Sequence, residues 1–291
     1  RKEGRRFLSN LQKLESPRRL MMSEAFTQLV NVVGIGKVSS AISYNLLGRV
    51  RFGYILSRNF EKAKSLAERV GGIPVTYDQE FLLNGTVLFG LTDAALNDAE
   101  TLLNGKVGEI TAIHFSGFHT SQVFPSSWNP ASMHPNCAVA SEDVSFKNVL
   151  FGLEGCDTGL ETAKKIVEAL GGRYFIVPTD KKVLYHLAAV ISSNFPVGLA
   201  SLSERIYKEI GLDEKTAQEL ISHLFQTVSD NISKLPLNVA LTGPVKRGDW
   251  AVVEVERVAF IEQFPQFSKY SQDCGLYDIL VQVLKEIIDK S

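Results

Sequence analysis

Cysteine is scarce in this chain. Cys137, Cys156 and Cys274 are the three in 291 residues, widely spaced, odd in number and never in a Cys-x-x-Cys pair. That argues against a disulfide framework and a cysteine-rich zinc site, and a reducing, cytoplasmic setting is expected, with no metal. Net charge is lacking too. Thirty-one Lys and Arg face 32 Asp and Glu, leaving −1 overall, so no electrostatic footprint for nucleic acid or an anionic membrane is present. Internal repeats and low-complexity tracts are absent. The longest apolar stretch, residues 183–202, has the length to span a bilayer. It carries His186, Ser192, Ser193, Asn194 and Pro196, which are costly in lipid, so a buried core helix is expected instead.

What is there suits two domains. The length allows an ample core, and 45% hydrophobic with 22% charged residues is ordinary for a globular protein. Residues 1–20 stand apart, with seven Lys or Arg against two Glu, ending at Met21-Met22. No apolar h-region follows, so a secretory signal is not expected. Residues 1–21 read as a disordered or non-native extension, with an Arg-rich organellar presequence as an alternative.

From residue 22 to 178 short apolar runs alternate with helix-like segments. Strands are expected over 28–33, 52–56, 86–91, 110–115, 150–154 and 174–177. Helices are expected over 38–47, 60–70, 94–103 and 159–170, with Gly71-Gly72 and Gly171-Gly172 as terminators. Such alternation implies a mostly parallel, doubly wound α/β sheet with right-handed crossovers. After Pro178 only helical periodicity continues, over 181–210, 214–235, 250–264 and 276–289. In the last, Leu276, Ile279, Leu280, Val283, Leu284, Ile287 and Ile288 form one apolar face. Residues 179–291 therefore read as an all-helical second domain, with Thr179 or Asp180 capping its first helix.

The apolar run Val32-Val33 breaks into Gly34-Ile35-Gly36-Lys37-Val38 and then a helical pattern. A βαβ dinucleotide site begins this way. Gly34 permits the tight turn, Gly36 lets the backbone approach a pyrophosphate, and the helix start offers N–H groups to the anion. Ser39 holds the third glycine position, where a small residue suffices. Lys37 reads as a phosphate contact or a solvated loop lysine. About twenty residues on, Tyr54-Ile55-Leu56 ends in Ser57-Arg58, where NAD selection would place Asp or Glu. An Arg there accommodates a 2′-phosphate, which points to NADP. A methyltransferase using the same turn would also want an acidic residue at that strand end.

Ligands of parallel sheets bind beyond the carboxyl ends of the strands. The residues found there are Thr92, Asp93 (a cap for the following helix) and His114-Phe115-Ser116-Gly117. Gly117 would admit a ring and Ser116 would offer a hydroxyl near the nicotinamide. His114 reads equally as a satisfied core histidine. His134, in the turn-like Ser132-Met133-His134-Pro135-Asn136, is the better site candidate in this domain. Further on, His186, Ala189, Val190 and Ser193 share a helix face with Asn194 beside them. Pro196 cannot donate to the Ser192 carbonyl and should kink that helix. The loop Leu241-Thr242-Gly243-Pro244-Val245-Lys246-Arg247-Gly248-Asp249 is basic. Asp249 could cap the next helix or pair with Arg247.

These segments, together with Tyr185-His186-Leu187-Ala188-Ala189 and Ser193-Asn194-Phe195, resemble small NADP-binding oxidoreductases that join a Rossmann-like domain to a helical domain of unknown function. The resemblance covers residue 27 to the end. The arrangement is also similar to pyrroline-5-carboxylate reductase and, more distantly, to 6-phosphogluconate dehydrogenase. In those relatives the helical domain dimerises and completes the site over the nicotinamide. Met133-His134-Pro135-Asn136 matches the reductase's Met-Pro-Asn turn, and Ser192-Ser193-Asn194-Phe195-Pro196 lies near its Ser/Gly-rich helix. The reductase's Ser-Gly-Ser-Gly run is absent, so proline biosynthesis is not implied. The hydroxyacid dehydrogenases' Lys-x-x-x-Asn pattern is absent too.

The resemblance implies a homodimer with a 6-phosphogluconate dehydrogenase C-terminal-like helical domain. The reading is an NADP(H)-dependent oxidoreductase acting on a small carbonyl, imine or hydroxy compound. Proton transfer falls to His186 or His134, with Asn194, Ser116 and Thr242 orienting the substrate. Gly34, Ile35, Gly36, Lys37, Val38, Ser57, Arg58, Thr92, Ser116 and Gly117 would hold the cofactor. A non-catalytic NADP-binding sensor or scaffold is the alternative.

Overall fold

The computed structural model describes residues 29–269 and 274–289; the expected extension over 1–21 lies outside them. The described chain divides into two units, parting between Ser193 and Asn194.

The first unit is built on one sheet. In chain order it runs β1 (Leu29–Val33), α1 (Lys37–Asn45), β2 (Arg51–Leu56), α2 (Phe60–Val70), β3 (Ile73–Val75), β4 (Leu83–Phe89), α3 (Asp93–Leu96), α4 (Ala99–Leu102), β5 (Val107–His114), β6 (Ala131–Pro135), β7 (Leu150–Gly155), α5 (Asp157–Ala169) and β8 (Arg173–Ile176). The strand order is β3-β2-β1-β4-β5-β6-β7-β8. Every neighbouring pair is parallel except β6 with β7. The order reverses direction at β1 and β4, and the crevice beyond their carboxyl ends is where a doubly wound sheet binds ligands.

Apolar strands and helix faces explain the two cores. Val30, Val32, Ile42, Ile55 and Leu66 pack on one side; Val33, Leu56, Val87, Phe89 and Leu96 pack on the other. Asn59 starts α2 by accepting from the Lys62 N–H at 3.2 Å, and Gly71 ends it in the left-handed region at φ 86°.

Several expectations need correction. β3 was not foreseen, because it is three residues long and contains Pro74. β6 was read as a turn because of its polar residues and Pro135, yet it pairs with both β5 and β7. The helix expected over 94–103 is two separate turns. Asn97 and Asp98 stand at the break, and such side chains compete with helical backbone bonding. The cap of α3 is Thr92, whose Oγ1 accepts from the Ala95 N–H at 3.4 Å; Asp93 is the first helical residue. Thr179 does not cap a helix but lies in a 3-10 turn and donates to Glu154 Oε1 at 3.2 Å.

The remaining helices are α6 (Lys182–Glu209), α7 (Glu214–Lys234), α8 (Leu237–Ala240), α9 (Pro244–Arg247), α10 (Trp250–Gln263) and α11 (Leu276–Asp289). α6 begins in the first unit, continues through Pro196 and enters the second. It was expected to be a buried core helix, but within this chain Lys182 is its one buried residue. Apolarity signals that a helix will be covered without saying by what. In the second unit Asp213 caps α7 through the Thr216 N–H at 2.9 Å. Arg257 joins α10 to α11 through Asp278 at 2.7 Å, and Arg247 pairs with Asp249 at 2.7 Å. Asp249 is the residue before α10 but makes no side-chain cap.

The tightest packing lies where β4 leaves the sheet. A Cβ on Gly90 would come within 2.2 Å of Ser39 Oγ and 2.5 Å of the Gly34 carbonyl. Overpacking of this kind typically costs about 1–3 kcal/mol. Gly90→Ala should therefore lower stability by about that amount in urea denaturation, and a loss below about 0.5 kcal/mol would contradict this packing.

Candidate active site

At the end of β1 the chain turns at Gly34, whose φ of 84° suits glycine. Its N–H donates to the Leu56 carbonyl at 2.9 Å, tying the turn to β2. A Cβ there would meet Leu91 Cδ2 at 2.6 Å and the Gly90 carbonyl at 2.8 Å. Ser39 stands in for the third glycine. Its hydroxyl accepts from the Gly36 N–H at 2.9 Å and lies 3.0 Å from the Gly34 carbonyl, so it fastens the turn from within.

Gly36 differs from Gly34. Its Cβ would meet one atom, the Gly90 carbonyl oxygen, at an ordinary 3.5 Å. The protein's own packing does not demand glycine at 36. Beside it opens a groove of about 540 Å³, lined by Ile35, Gly36, Lys37, Ser40, Asn59 and Lys62 among others. The first turn of α1 carries Lys37 and no carboxylate, which suits an anion, while Glu61 and Glu142 also line the groove. Val38 packs against the core. At the end of β2, Ser57 is buried and accepts from the Asn59 N–H at 3.1 Å, while Arg58 is exposed.

A second cluster lies beyond β5 and β6. His114 is fully buried in β5. Its Nε2 meets the Thr120 carbonyl at 3.2 Å and its Nδ1 accepts from the Ser116 N–H at 3.2 Å, so it is a satisfied core histidine. The Ser116 hydroxyl accepts from the N–H groups of Phe118 at 3.1 Å and His119 at 3.0 Å. That leaves its own proton to offer. Ser132, in β6, donates to the Ser116 carbonyl at 3.1 Å.

The first turns of α6 dock on this edge. Lys182, Tyr185 and His186 stand at i, i+3 and i+4 and so share one helix face. The Lys182 ammonium, fully buried, donates to Ser132 Oγ. The Tyr185 hydroxyl donates to Asn136 Oδ1 at 3.0 Å and meets His134 Nδ1 at 2.6 Å. With the phenol proton directed to Asn136, His134 Nδ1–H is the donor to Tyr185, and His134 Nε2 carries the lone pair. Gly117 lies under both imidazoles: its Cβ would sit 2.5 Å from His186 Nδ1 and 2.9 Å from His134 Nε2. His186 Nδ1 is buried without a hydrogen-bond partner among the described residues.

Burial sets the charge states. Desolvation first, then the Lys182 charge, lowers His134 to about 4. The same two causes lower His114 to about 3. Desolvation lowers Lys182 to about 8 against the opposing pull of Glu154. Burial raises Tyr185 to about 12. At neutral pH His134 and His114 are thus neutral beside a protonated Lys182.

Of the residues named from sequence, the fold brings together Gly34, Ile35, Gly36, Lys37 and Val38 at the first turn. It gathers Ser116, Gly117, His134 and His186 at the second cluster. Ser57 and Arg58 follow β2, ahead of Asn59, which lines the groove. Thr92 is occupied as a helix cap. Asn194 and Thr242 lie in the second unit, both exposed there. Lys182, Ser132 and Asn136 carried no assigned role in the sequence reading, and Tyr185 entered it only within a motif. The available signal was the lysine at i−4 from His186, ahead of an apolar helix.

A family profile described as a domain of unknown function (DUF2520) matches residues 149–280. Protein TM1727 from Thermotoga maritima is 40% identical over 90% of this chain and 98% of its own, with a TM-score of 0.73. The chain belongs to the family of TM1727. Two more distant structures share the fold. NADP oxidoreductase BF3122 from Bacteroides fragilis is 21% identical, covering 89% of this chain and 98% of its own at a TM-score of 0.69. The 1-pyrroline-5-carboxylate reductase of Streptococcus pyogenes is 15% identical, covering 91% and 98% at 0.58. No curated protein sequence matches. In this TM1727 relative, as in those two, a Rossmann-like sheet precedes a helical region.

The two low histidines make the folded chain acid-sensitive. Folded His134 and His114 stay neutral down to about 4 and about 3, whereas an unfolded histidine titrates near 6.5. Between those values the unfolded chain binds more protons, so stability is complete above about pH 6.5 and falls as pH drops. The limiting slope is about 1.4 kcal/mol per pH unit for each histidine. Urea midpoints should fall steadily from pH 7 to pH 5, and less steeply in His134→Gln. A midpoint that stays level over that range would contradict the burial of both rings.

Proposed function

We propose that this protein is an NADP(H)-dependent oxidoreductase that transfers a hydride to or from a small carbonyl, imine or hydroxy compound. One observation carries the reading: a glycine the fold does not need, Gly36, faces a groove at the carboxyl edge of the same sheet that holds the histidine cluster. In this reading the space left by Gly36 admits a diphosphate to the α1 N–H groups, and Arg58, exposed after β2, takes the 2′-phosphate. NADPH, when bound, would supply the hydride.

This chain's residues do the rest. Gly117 lets the two imidazoles approach the backbone closely. His186 Nδ1 and His134 Nε2 hold or move a proton at the reacting heteroatom. Tyr185 fixes the orientation and tautomer of His134, and Ser116 offers its hydroxyl proton to the substrate.

Fluorescence titration tests the cofactor. NADPH should bind at least about tenfold tighter than NADH, since a charge-assisted contact contributes about 1.5–3 kcal/mol. Arg58→Ala should remove that preference and leave NADH unaffected. Gly36→Ala should weaken both nucleotides while leaving the melting temperature unchanged. Equal affinities in the wild type would reject NADP selection.

The working form in this reading is a homodimer formed through the helical unit. Val197 and Val255 are each 70% exposed, and Val228, Ile232 and Val283 each exceed half, more apolar surface than a monomer ordinarily leaves in water. Light scattering at micromolar concentration should return twice the chain mass; a monomer would refute the dimer.

A further inference from the structure

We infer that Glu142 limits how tightly the Gly36 groove holds phosphate, and that Arg69 is the positioning residue that keeps this carboxylate engaged and away from the ligand. This rests on the reading that the groove takes the phosphates of a dinucleotide, and it names the residues that tune that affinity.

The carboxylate is brought to the groove from a distant part of the chain. β6 is parallel to β5, so its carboxyl end lies at the ligand edge of the sheet, and β7, antiparallel to β6, starts there. A hairpin would join two such strands with about 2–5 residues. The connection instead runs from residue 136 to residue 149, and it reaches across to α1. Phe146 is fully buried in the core that holds Ile42 of α1 and Leu66 of α2, and Val144 packs against the same core. Asn45, at the end of α1, donates from Nδ2 to the Val144 carbonyl at 2.9 Å. Just ahead of these anchors the connection places Glu142 in the lining of the groove.

That lining sets Lys37 and Lys62 against Glu61 and Glu142. Glu61 belongs to the first turn of α2, where the helix dipole favours a carboxylate. Glu142 comes from the β6–β7 connection, and left alone it would repel a phosphate and compete for the two lysines. Arg69 engages it: Nη1 lies 3.2 Å from Glu142 Oε2. Arg69 is itself held on Tyr44, donating to the phenol oxygen at 2.5 Å with its guanidinium 4.6 Å from the ring centre. It lines an adjoining recess that shares Tyr44 and Glu142 with the groove. The Arg69 charge therefore acts on a ligand in the groove chiefly through Glu142. Both partners are substantially exposed, at 57% and 43%, so the pair contributes little to stability and its consequence is electrostatic.

Titration of the full chain with NADPH, and separately with inorganic pyrophosphate, tests this in the wild type, Glu142→Gln, Arg69→Gln and the double variant. At low salt Glu142→Gln should tighten binding about threefold and Arg69→Gln should weaken it about threefold, the size of an exposed charge–charge contact. In the Glu142→Gln background, Arg69→Gln should change affinity by less than about twofold, since the two substitutions act on one interaction. Both effects should vanish at about 1 M salt. This pattern in either ligand supports the inference. Weaker binding in Glu142→Gln would make the carboxylate a ligand contact and overturn it. Equal losses from Arg69→Gln in both backgrounds would overturn it too, because Arg69 would then act independently of Glu142. If NADPH binds and none of the substitutions changes its affinity, the inference falls and the oxidoreductase reading stands. If pyrophosphate shows the pattern while NADPH does not bind, the inference stands and the oxidoreductase reading falls. If neither ligand binds, both fall. Should Arg69→Gln not fold, the comparison of wild type with Glu142→Gln decides alone.

Discussion

An ammonium taken out of water costs several kcal/mol unless hydrogen bonds and charge compensate it. Lys182 is in that position, fully buried where α6 meets the carboxyl edge of the sheet. Its partner Ser132 and the pull of Glu154 answer part of the cost. The arrangement holds only while α6 starts at that point and in that rotation. Tyr185 and His186 follow from it, since a helix rotation that seats Lys182 on Ser132 also turns positions i+3 and i+4 toward β6 and Gly117. Site geometry is thus tied to one buried charge rather than to loop conformation.

The two halves of the sheet edge are built differently. The glycine turn is rigid because it is full: Gly34, Gly90 and Ser39 occupy one another's Cβ space, and Ser39 replaces a missing glycine with a hydrogen bond. The histidine cluster is rigid because it is bonded, through Tyr185, Asn136, Ser132 and Lys182. The turn leaves an opening, the space above Gly36, where a ligand fits without displacing protein. At the cluster the His186 nitrogen is enclosed and has no hydrogen-bond partner among the described residues.

Much of this was legible beforehand. Periodicity placed β1, β2, β4, β5, β7, β8 and every helix of ten or more residues, because strong apolar patterns survive in any tertiary context. β3 and β6 escaped because their pairing energy comes from neighbours already in the sheet, which lets short, proline-containing segments join as strands. His134 was singled out on the supposition of a turn; it lies instead on a strand, and its partner Tyr185 comes from a helix some fifty residues away.

The sequence by itself determined the order of the longer strands and helices, the glycine turn, and the lack of an acidic residue after β2, since each is a matter of local pattern. Contacts across the sheet edge decided the rest. They made His114 a core residue and left His134 the candidate for the site, although both are histidines near strand ends, because one ring is closed in by Thr120 and Ser116 while the other faces Gly117 and His186. They also turned a lysine at the head of an apolar helix into a buried charge held by Ser132. Desolvation and hydrogen bonding depend on what lies alongside in space, and no spacing along the chain encodes that.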